Sequence, residues 1–230
     1  MNQKTIIITG VSKGIGLAVV HLFLSKNWKV VGIGRSSPSI SHENFHFFPC
    51  EISIYSSVIH AIDQANSFLE NRVDVLLNNA GFGTFGSITE LPIDKWEEMF
   101  QVNVHGLMYV TREVVPIMKK QQHGHIINIS SIAGLNGIVN GSGYAATKHA
   151  VKGISHSLYA ELRNDGIKVT AVYPGSVKTN FFDDVDGITA NDNMLQPSDV
   201  AEAIWYLANT SPNFLPVDFE IRPLNPNTKK

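Results

Sequence analysis

The sequence predicts an α/β fold, a single doubly wound domain built on a mostly parallel seven-stranded sheet with helices on both faces. Two observations lead to this prediction. Short, almost continuously apolar runs alternate with longer amphipathic segments, and a glycine-rich turn directly follows the first run. Parallel strands that are buried on both faces have this pattern, and the helices between them are right-handed crossovers. The ligand crevice of such a sheet lies beyond the carboxyl ends of its strands.

Apolar runs of strand length and segments of helical periodicity give the expected order of elements. Strands are expected at residues 4–9, 29–33, 44–48, 73–78, 125–130, 168–173 and, at the sheet edge, 217–221. Helices are expected at residues 14–26, 54–70, 94–121, 144–164 and 198–209. Proline disrupts helix interiors and serine is a common N-cap. Pro116 is therefore expected to bend or end the third helix, and Ser198 to cap the last one.

The composition indicates one domain and limits the partners and the cellular compartment that we expect for it. The 230 residues are 43% hydrophobic with no repeat or linker, so residues 1–230 are expected to form a single domain. A net charge of −2 offers no basic field for nucleic acid or an acidic membrane surface. Cys50 is the only cysteine, and no apolar run approaches the roughly 20 residues of a membrane span. We therefore expect a cytoplasmic protein. The nine histidines lack metal-ligand spacing, so no metal is expected.

The turn after the first strand has the composition of a phosphate-binding loop. Residues 9–16 read TGVSKGIG and lead directly into the first helix. Glycines permit a tight turn and close approach of a pyrophosphate, and a helix N-terminus offers unpaired N–H groups with a partial positive charge. The expected ligands are Gly10, Ser12, Lys13, Gly14, Ile15 and Gly16. Glycines also form ordinary strand-to-helix turns. These residues alone do not distinguish such a turn from a phosphate-binding loop.

The end of the second strand indicates which dinucleotide is bound. A site specific for NAD usually places a carboxylate there to hold the ribose hydroxyls, yet residues 30–36 read VVGIGRS. Arg35 and Lys13 instead supply two cations that could clamp a 2′-phosphate, with Ser36 as a hydroxyl donor. The alternative is that both are ordinary surface cations. The missing acid favours NADP(H).

A tyrosine and a lysine at the start of the fourth predicted helix form the expected catalytic pair. Tyr144 and Lys148 are four residues apart and therefore share one helical face. A nearby ammonium and an oxidised nicotinamide ring would each favour tyrosinate, which brings its pKa closer to neutral pH. Ser130 and Ser131 end the fifth strand, where a hydroxyl could hydrogen-bond to a substrate carbonyl. Taken singly, the pair could be structural and either serine could be a capping residue.

The ordered set of motifs resembles the short-chain dehydrogenase/reductase family, in its short, single-domain, NADP(H)-preferring branch. The marks are residues 9–16, residues 78–81 (NNAG), Asn103, Ser131, Tyr144, Lys148 and residues 174–179 (PGSVKT). The resemblance covers the chain from about residue 4 to residue 179 and implies a Rossmann domain. It also implies that Ser131 orients the carbonyl, Tyr144 donates the proton, Lys148 lowers the tyrosine pKa and binds the nicotinamide ribose, and Asn103 holds a relay water.

The same resemblance implies further cofactor contacts. Asn79, Ala80 and Gly81 would run beside the adenosine half. Pro174, Gly175, Val177 and Thr179 belong to the segment that would bind the nicotinamide half. Glu51 stands where the family usually has an aspartate near the adenine amino group, and Ile52 would face the adenine ring with its backbone.

The predicted function is hydride transfer between NADP(H) and a small-molecule carbonyl or alcohol. Reduction of a 3-oxoacyl carrier protein is the competing substrate assignment, and a non-catalytic NADP(H) sensor is the rival from a different class. Substrate choice is assigned to residues 82–85, residues 135–140 and a lid at residues 180–195 that is partly apolar and carries aspartates. A dimer or tetramer is expected to form through the helices at 94–121 and 144–164.

Overall fold

The computed structural model describes residues 3–182 and 190–225. Residues 183–189 of the predicted lid lie outside the described residues. The strands are β1 Thr5–Thr9, β2 Lys29–Gly34, β3 Phe45–Pro49, β4 Val75–Asn78, β5 Gly124–Ile129, β6 Ile167–Pro174 and β7 Asp218–Ile221. The helices are α1 Gly14–Ser25, α2 Tyr55–Phe68, α3 Ile93–Phe100, α4 Leu107–Gln121, α5 Ser142–Leu162 and α6 Pro197–Ala208.

The strands form one seven-stranded sheet in the order β3-β2-β1-β4-β5-β6-β7. Every pairing is parallel, so the predicted sheet is confirmed, including its late edge strand β7. The chain moves outward from β1 to β3 and then returns to β4 on the other side of β1. The strand order therefore reverses between β1 and β4, which is where a doubly wound sheet opens its crevice.

Both faces of the sheet are covered, because successive residues of a strand point to opposite sides. Ile6 and Ile8 of β1 belong to the core that α1 and α6 cover. Ile7 belongs to the opposite core, under α2 and α4. All three isoleucines are fully buried, which explains why the run is apolar without interruption.

The third predicted helix is divided. Residues 94–121 were expected to be one helix, but a π-helical turn, Gln101–Gly106, separates α3 from α4. Pro116 lies inside α4, which continues to Gln121 and ends on Gln122 in the left-handed region at φ 53°. Pro116 therefore does not end the helix, and of the two expected effects only a bend stays as a prediction. A π-turn depends on backbone hydrogen-bond register, and its side-chain pattern does not reveal it.

The last helix begins one residue earlier than expected and has a different cap. Pro197 is its first residue and Gln196 is its N-cap, so the assignment of Ser198 was wrong. The N–H of Gln196 donates to the Asp199 carboxylate at 2.7 Å as one half of a capping box.

Across the described ranges, we find no helix with the length and apolar character needed to cross a membrane.

Candidate active site

The carboxyl ends of the central strands bring the predicted motifs to one edge of the sheet. The N–H of Gly10, after β1, donates to the Ile33 carbonyl of β2 at 2.9 Å. A Cβ built on Gly14 would lie 3.3 Å from the Thr179 methyl group, so the segment after β6 crosses to the glycine turn. Segments that are distant in sequence therefore meet at the crevice that the topology predicts.

The glycine turn has a shape that larger residues would not permit. Gly10 and Gly14 have φ values of 73° and 61°, in the left-handed region that glycine adopts easily. A Cβ on Gly16 would lie 2.1 Å from the Gly10 carbonyl oxygen. Lys13 is the N-cap of α1, and its side chain makes no capping hydrogen bond. The first N–H groups of α1 therefore face the crevice without a capping side chain, as an anion-binding helix terminus requires.

The segment after β4 supports this turn. The Thr9 hydroxyl accepts the N–H groups of Asn79 and Ala80 at 2.9 and 2.8 Å. The Asn79 amide donates to the carbonyls of Thr9 and Gly10 at 2.9 and 2.8 Å. A Cβ on Gly10 would lie 2.9 Å from the Ala80 Cα. Asn79 and Ala80 therefore hold the shape of the turn, whatever contact they make with a ligand.

The residues expected to select the nucleotide lie on the rim. Ser12, Lys13, Arg35 and Ser36 are all exposed. The Arg35 Nε lies 4.0 Å from a Glu51 carboxylate oxygen. Arg35 and Glu51, which the sequence analysis expects to contact different parts of the cofactor, therefore lie close together. This pair is solvated, so its attraction is weak and the arginine can turn toward a stronger anion.

The Glu51 carboxylate also accepts hydrogen bonds from Ser53, with the hydroxyl at 2.9 Å and the N–H at 3.3 Å. Ile52 is buried, and a Cβ on Gly106 would lie 2.9 Å from its Cδ1. Only the backbone of Ile52 is therefore available to a ligand. Ile15 is half-buried against the core under α1 and α6.

The segment after β6 is fixed at both of its ends. Pro174 is the last residue of β6, and the N–H of Gly175 donates to the Ile221 carbonyl at 2.8 Å. Val177 is buried and forms a parallel bridge with Leu195. The Thr179 hydroxyl accepts the N–H of Phe181 at 3.2 Å. These bonds place residues 174–179 over the glycine turn.

Three consecutive residues at the end of β5 hold the tyrosine–lysine helix. The Ile129 carbonyl accepts the Lys148 ammonium at 3.0 Å. The Ser130 hydroxyl donates to the Lys148 carbonyl at 2.9 Å. The Ser131 hydroxyl accepts the N–H of Ala133 at 3.1 Å and lies close enough to the Tyr144 phenol to lower the pKa of that phenol. The serine, tyrosine and lysine predicted from the sequence therefore lie together.

Burial dominates the electrostatics of this group. It raises the pKa of Tyr144 to about 12, and the nearby Ser131 side chain opposes that rise. Burial also lowers the pKa of Lys148 to about 8. The ammonium lies 5.7 Å from the centre of the Tyr144 ring and donates to Ile129. In the polypeptide alone, burial therefore outweighs any lowering of the tyrosine pKa by Lys148, and the effect expected of Lys148 in the presence of the cofactor stays a prediction.

Residues 4–187 match the family model for short chain dehydrogenases. The chain belongs to this family of oxidoreductases. An uncharacterized oxidoreductase of Staphylococcus aureus (strain MRSA252) is 32% identical over 97% of this chain and 99% of its own length.

Two solved structures are similar over nearly the whole chain. Serine dehydrogenase, in its closed form complexed with NADP+, has a TM-score of 0.87 and 25% identity, covering 98% of this chain and 99% of its own. ElxO with NADP bound has a TM-score of 0.87 and 30% identity, covering 96% of this chain and 97% of its own.

In this short chain dehydrogenase, Asn103 lies within the π-turn and its side chain bonds to two neighbouring segments. Its Oδ1 accepts the Phe82 N–H at 3.0 Å, and its Nδ2 donates to the Phe82 carbonyl at 2.8 Å. The same Nδ2 donates to the Thr147 hydroxyl at 3.1 Å. The amide therefore holds the segment after β4 against α5.

The sequence did not reveal two residues that position Tyr144 and Lys148, the predicted catalytic pair. Ser130 was set aside because it does not match the family serine, yet it binds the Lys148 backbone. Thr147 is fully buried, and its hydroxyl donates to the Tyr144 carbonyl at 2.8 Å. In the sequence these two residues are distinguished only by being next to Ser131 and Lys148, and that position does not predict a hydrogen bond.

Proposed function

We propose that this short chain dehydrogenase transfers hydride between NADP(H) and a carbonyl or alcohol substrate, with Tyr144 as the proton donor and acceptor. The observation that carries the proposal is the meeting of Ser131 and Tyr144 at the carboxyl edge of the sheet, where the serine side chain is close enough to lower the tyrosine pKa, beside the buried Lys148. A hydroxyl pair at that position can bind one carbonyl oxygen from two sides. Such an arrangement orients the carbonyl and supplies its proton.

The glycine turn fits a dinucleotide pyrophosphate. Its two left-handed glycines, the missing Cβ at Gly16 and the uncapped N-terminus of α1 together leave a cradle of backbone N–H groups. We assign Gly10, Ser12, Lys13, Gly14, Ile15 and Gly16 to this cradle. The dinucleotide, when bound, supplies the hydride chemistry.

The protein's own contribution is to hold and move one proton. Because burial raises the pKa of Tyr144 to about 12, its phenol stays protonated at neutral pH, ready to act as the acid in carbonyl reduction. Oxidation needs the tyrosinate, and the positive ring of an oxidised nicotinamide would favour it. We assign Lys148 to the nicotinamide ribose and to this charge balance, and the backbone of Asn103 to the relay water.

The choice of NADP(H) rests on the rim of the crevice. Lys13 and Arg35 are both exposed, one in the turn and one at the end of β2, where a 2′-phosphate would lie. Ser36 adds a hydroxyl donor. The serine dehydrogenase and ElxO structures contain NADP+ and NADP, which supports the same choice.

The remaining cofactor contacts follow from the same placement. Glu51 keeps acceptor capacity beyond its bonds to Ser53, and we assign it to the adenine amino group, with the Ile52 backbone beside the ring. Asn79, Ala80 and Gly81 are assigned to the adenosine half. Pro174, Gly175, Val177 and Thr179 are assigned to the nicotinamide half.

We also propose that residues 1–230 act as one NADP(H)-binding domain in a cytoplasmic homo-oligomer. The single cysteine, Cys50, is buried and unpaired, which suits a reducing compartment. The exposed face of α4 and the small residues of α5 suit close helix packing between subunits. Light scattering at several protein concentrations tests the oligomer, and a monomer at every concentration contradicts it.

A cofactor and substrate panel tests the proposed function. Purified protein is mixed with NADPH or NADH and with aldehydes, ketones and a 3-oxoacyl thioester, and the absorbance of the reduced ring is followed. We expect turnover of aldehydes or ketones with NADPH preferred to NADH. NADPH binding without turnover of any carbonyl would favour the sensor, and turnover of the thioester alone would favour the carrier-protein reductase.

A further inference from the structure

Three aromatic rings meet at the mouth of the crevice. The ring of Tyr144 lies 5.5 Å from the ring of Phe85 and 5.3 Å from that of Phe181, centre to centre. The rings of Phe85 and Phe181 lie 6.0 Å apart, edge to face at 83°. Phe85 follows β4 and Phe181 follows β6, so two separate loops deliver these rings to the catalytic tyrosine.

Gly83 permits this arrangement. A Cβ at that position would lie 2.8 Å from Phe181 Cζ, 2.9 Å from Tyr144 Cδ2 and 3.2 Å from Phe85 Cε2. All three rings therefore pack against the bare backbone of one glycine. Phe85 and Phe181 are only half-buried, so both rings keep aromatic surface available at the mouth.

The described residues of the surrounding loops offer a single cation for an anionic substrate, and that cation already has a carboxylate partner. Among the described residues of these loops, 82–92, 132–143 and 176–182, the only lysine or arginine is Lys178. Its ammonium lies 2.5 Å from the Asp192 carboxylate. The ammonium of Lys148 is already bound to the Ile129 carbonyl.

We propose that the substrate carbonyl carries an uncharged aromatic group, which lies against Phe85 and Phe181 beside Tyr144. This inference rests on the proposed function and deepens it by naming the substrate class. Aromatic rings pair favourably edge to face or offset, and half-exposed rings gain most when another ring covers them. A carboxylate on the same group would lose its hydration without finding a partner.

Matched aldehydes test the proposal in the complete protein with saturating NADPH. Phenylacetaldehyde, cyclohexylacetaldehyde and (para-carboxyphenyl)acetaldehyde place the same spacer between ring and carbonyl, so their reactivities are similar. Acetaldehyde is too small to reach the two phenylalanines and measures the chemistry alone. We expect kcat/KM to be highest for the phenyl compound, and about 10-fold or more lower for the carboxylate.

Variants then identify the rings responsible. Phe85→Ala and Phe181→Ala should each lower the ratio of phenylacetaldehyde to acetaldehyde kcat/KM by roughly 3- to 10-fold. Phe214→Ala is the matched control, because Phe214 is exposed and its carbonyl binds Lys168 at the opposite end of β6. It should leave the ratio unchanged. If Phe85→Ala does not fold, Phe85→Leu keeps most of the volume and should lower the same ratio.

The outcomes separate this inference from the function on which it rests. No turnover of any aldehyde, including acetaldehyde, would overturn the proposed function itself. Turnover in which the carboxylate or the cyclohexyl compound equals the phenyl compound would overturn the aromatic substrate class alone. An unchanged ratio in both phenylalanine variants would do the same.

Discussion

Replacing Lys148 with methionine should change how the stability of the protein depends on pH. Lys148 is 5% exposed, and burial lowers its pKa from 10.5 to about 8. Its charged form is therefore less favourable in the folded protein than in the unfolded chain. Methionine has a similar length and carries no charge, so the variant removes this cost at every pH.

The magnitude follows from the pKa shift. At pH 7 Lys148 is charged in both states, and its pKa is lower in the folded protein by 10.5 − 8 units. This difference lowers the free energy of unfolding by about 3 kcal/mol, at ~1.36 kcal/mol per unit. Between pH 8 and 10.5 the unfolded chain binds more protons than the folded protein, so stability rises with pH. By pH 10 the cost has fallen to about 1 kcal/mol. The wild type should therefore gain about 2 kcal/mol relative to Lys148→Met between pH 7 and pH 10.

Urea unfolding of both proteins at pH 7, 8, 9 and 10 measures this difference. The bond that Ile129 loses in the variant adds an offset, but that offset does not change with pH. Lys120→Met is the matched control, because Lys120 is exposed at the end of α4 and its variant should parallel the wild type. A gap between wild type and Lys148→Met that stays constant within about 0.5 kcal/mol would refute the reasoning.

Four further variants test the crevice. Arg35→Glu should raise the KM for NADPH by about 10- to 100-fold and change that for NADH little, since it opposes a 2′-phosphate. Gly16→Ala should lower the free energy of unfolding by about 1–3 kcal/mol, because its Cβ would lie 2.1 Å from the Gly10 carbonyl. Ser131→Ala should lower kcat at nearly unchanged stability, whereas Ser130→Ala should lower stability by about 1–3 kcal/mol.

Each of these variant predictions can be contradicted by a specific result. Equal effects of Arg35→Glu on the KM for NADPH and the KM for NADH would contradict the proposal that Arg35 binds the 2′-phosphate. Gly137→Ala is the control for Gly16, since a Cβ at that exposed position meets nothing within 4 Å and should leave the free energy of unfolding nearly unchanged. A stable Gly16→Ala protein would show that the turn can relax. Identical behaviour of the two serine variants would mean that Ser130 and Ser131 are not functionally distinct.

The strands could be read from the sequence because burial on both faces leaves a continuous apolar run. Ile6, Ile7 and Ile8 illustrate this, since each is fully buried although they face two cores. The π-turn at Gln101–Gly106 could not be read in the same way. Its side chains are compatible with an ordinary helix, and only the backbone register distinguishes the two.

The site was predictable where one motif contains both partners, and less so where a hydrogen bond joins distant segments. Tyr144 and Lys148 share a helical face, and spacing alone gives that. The bond from Ser130 to Lys148 spans 18 residues, and the bonds of Asn103 to Phe82 span 21. Such bonds depend on how α5 and the π-turn pack against the sheet. The pKa of Tyr144 likewise depends on burial, which the sequence does not show.

The most direct test of the account is the turnover of Tyr144→Phe. Phenylalanine keeps the ring that packs against Phe85 and Phe181 and removes only the hydroxyl that lies near Ser131. We predict that NADPH-dependent reduction of the best aldehyde falls by about 10²- to 10⁴-fold, while the dissociation constant for NADPH stays nearly unchanged. Turnover within about tenfold of the wild type would contradict the assignment of the proton to Tyr144.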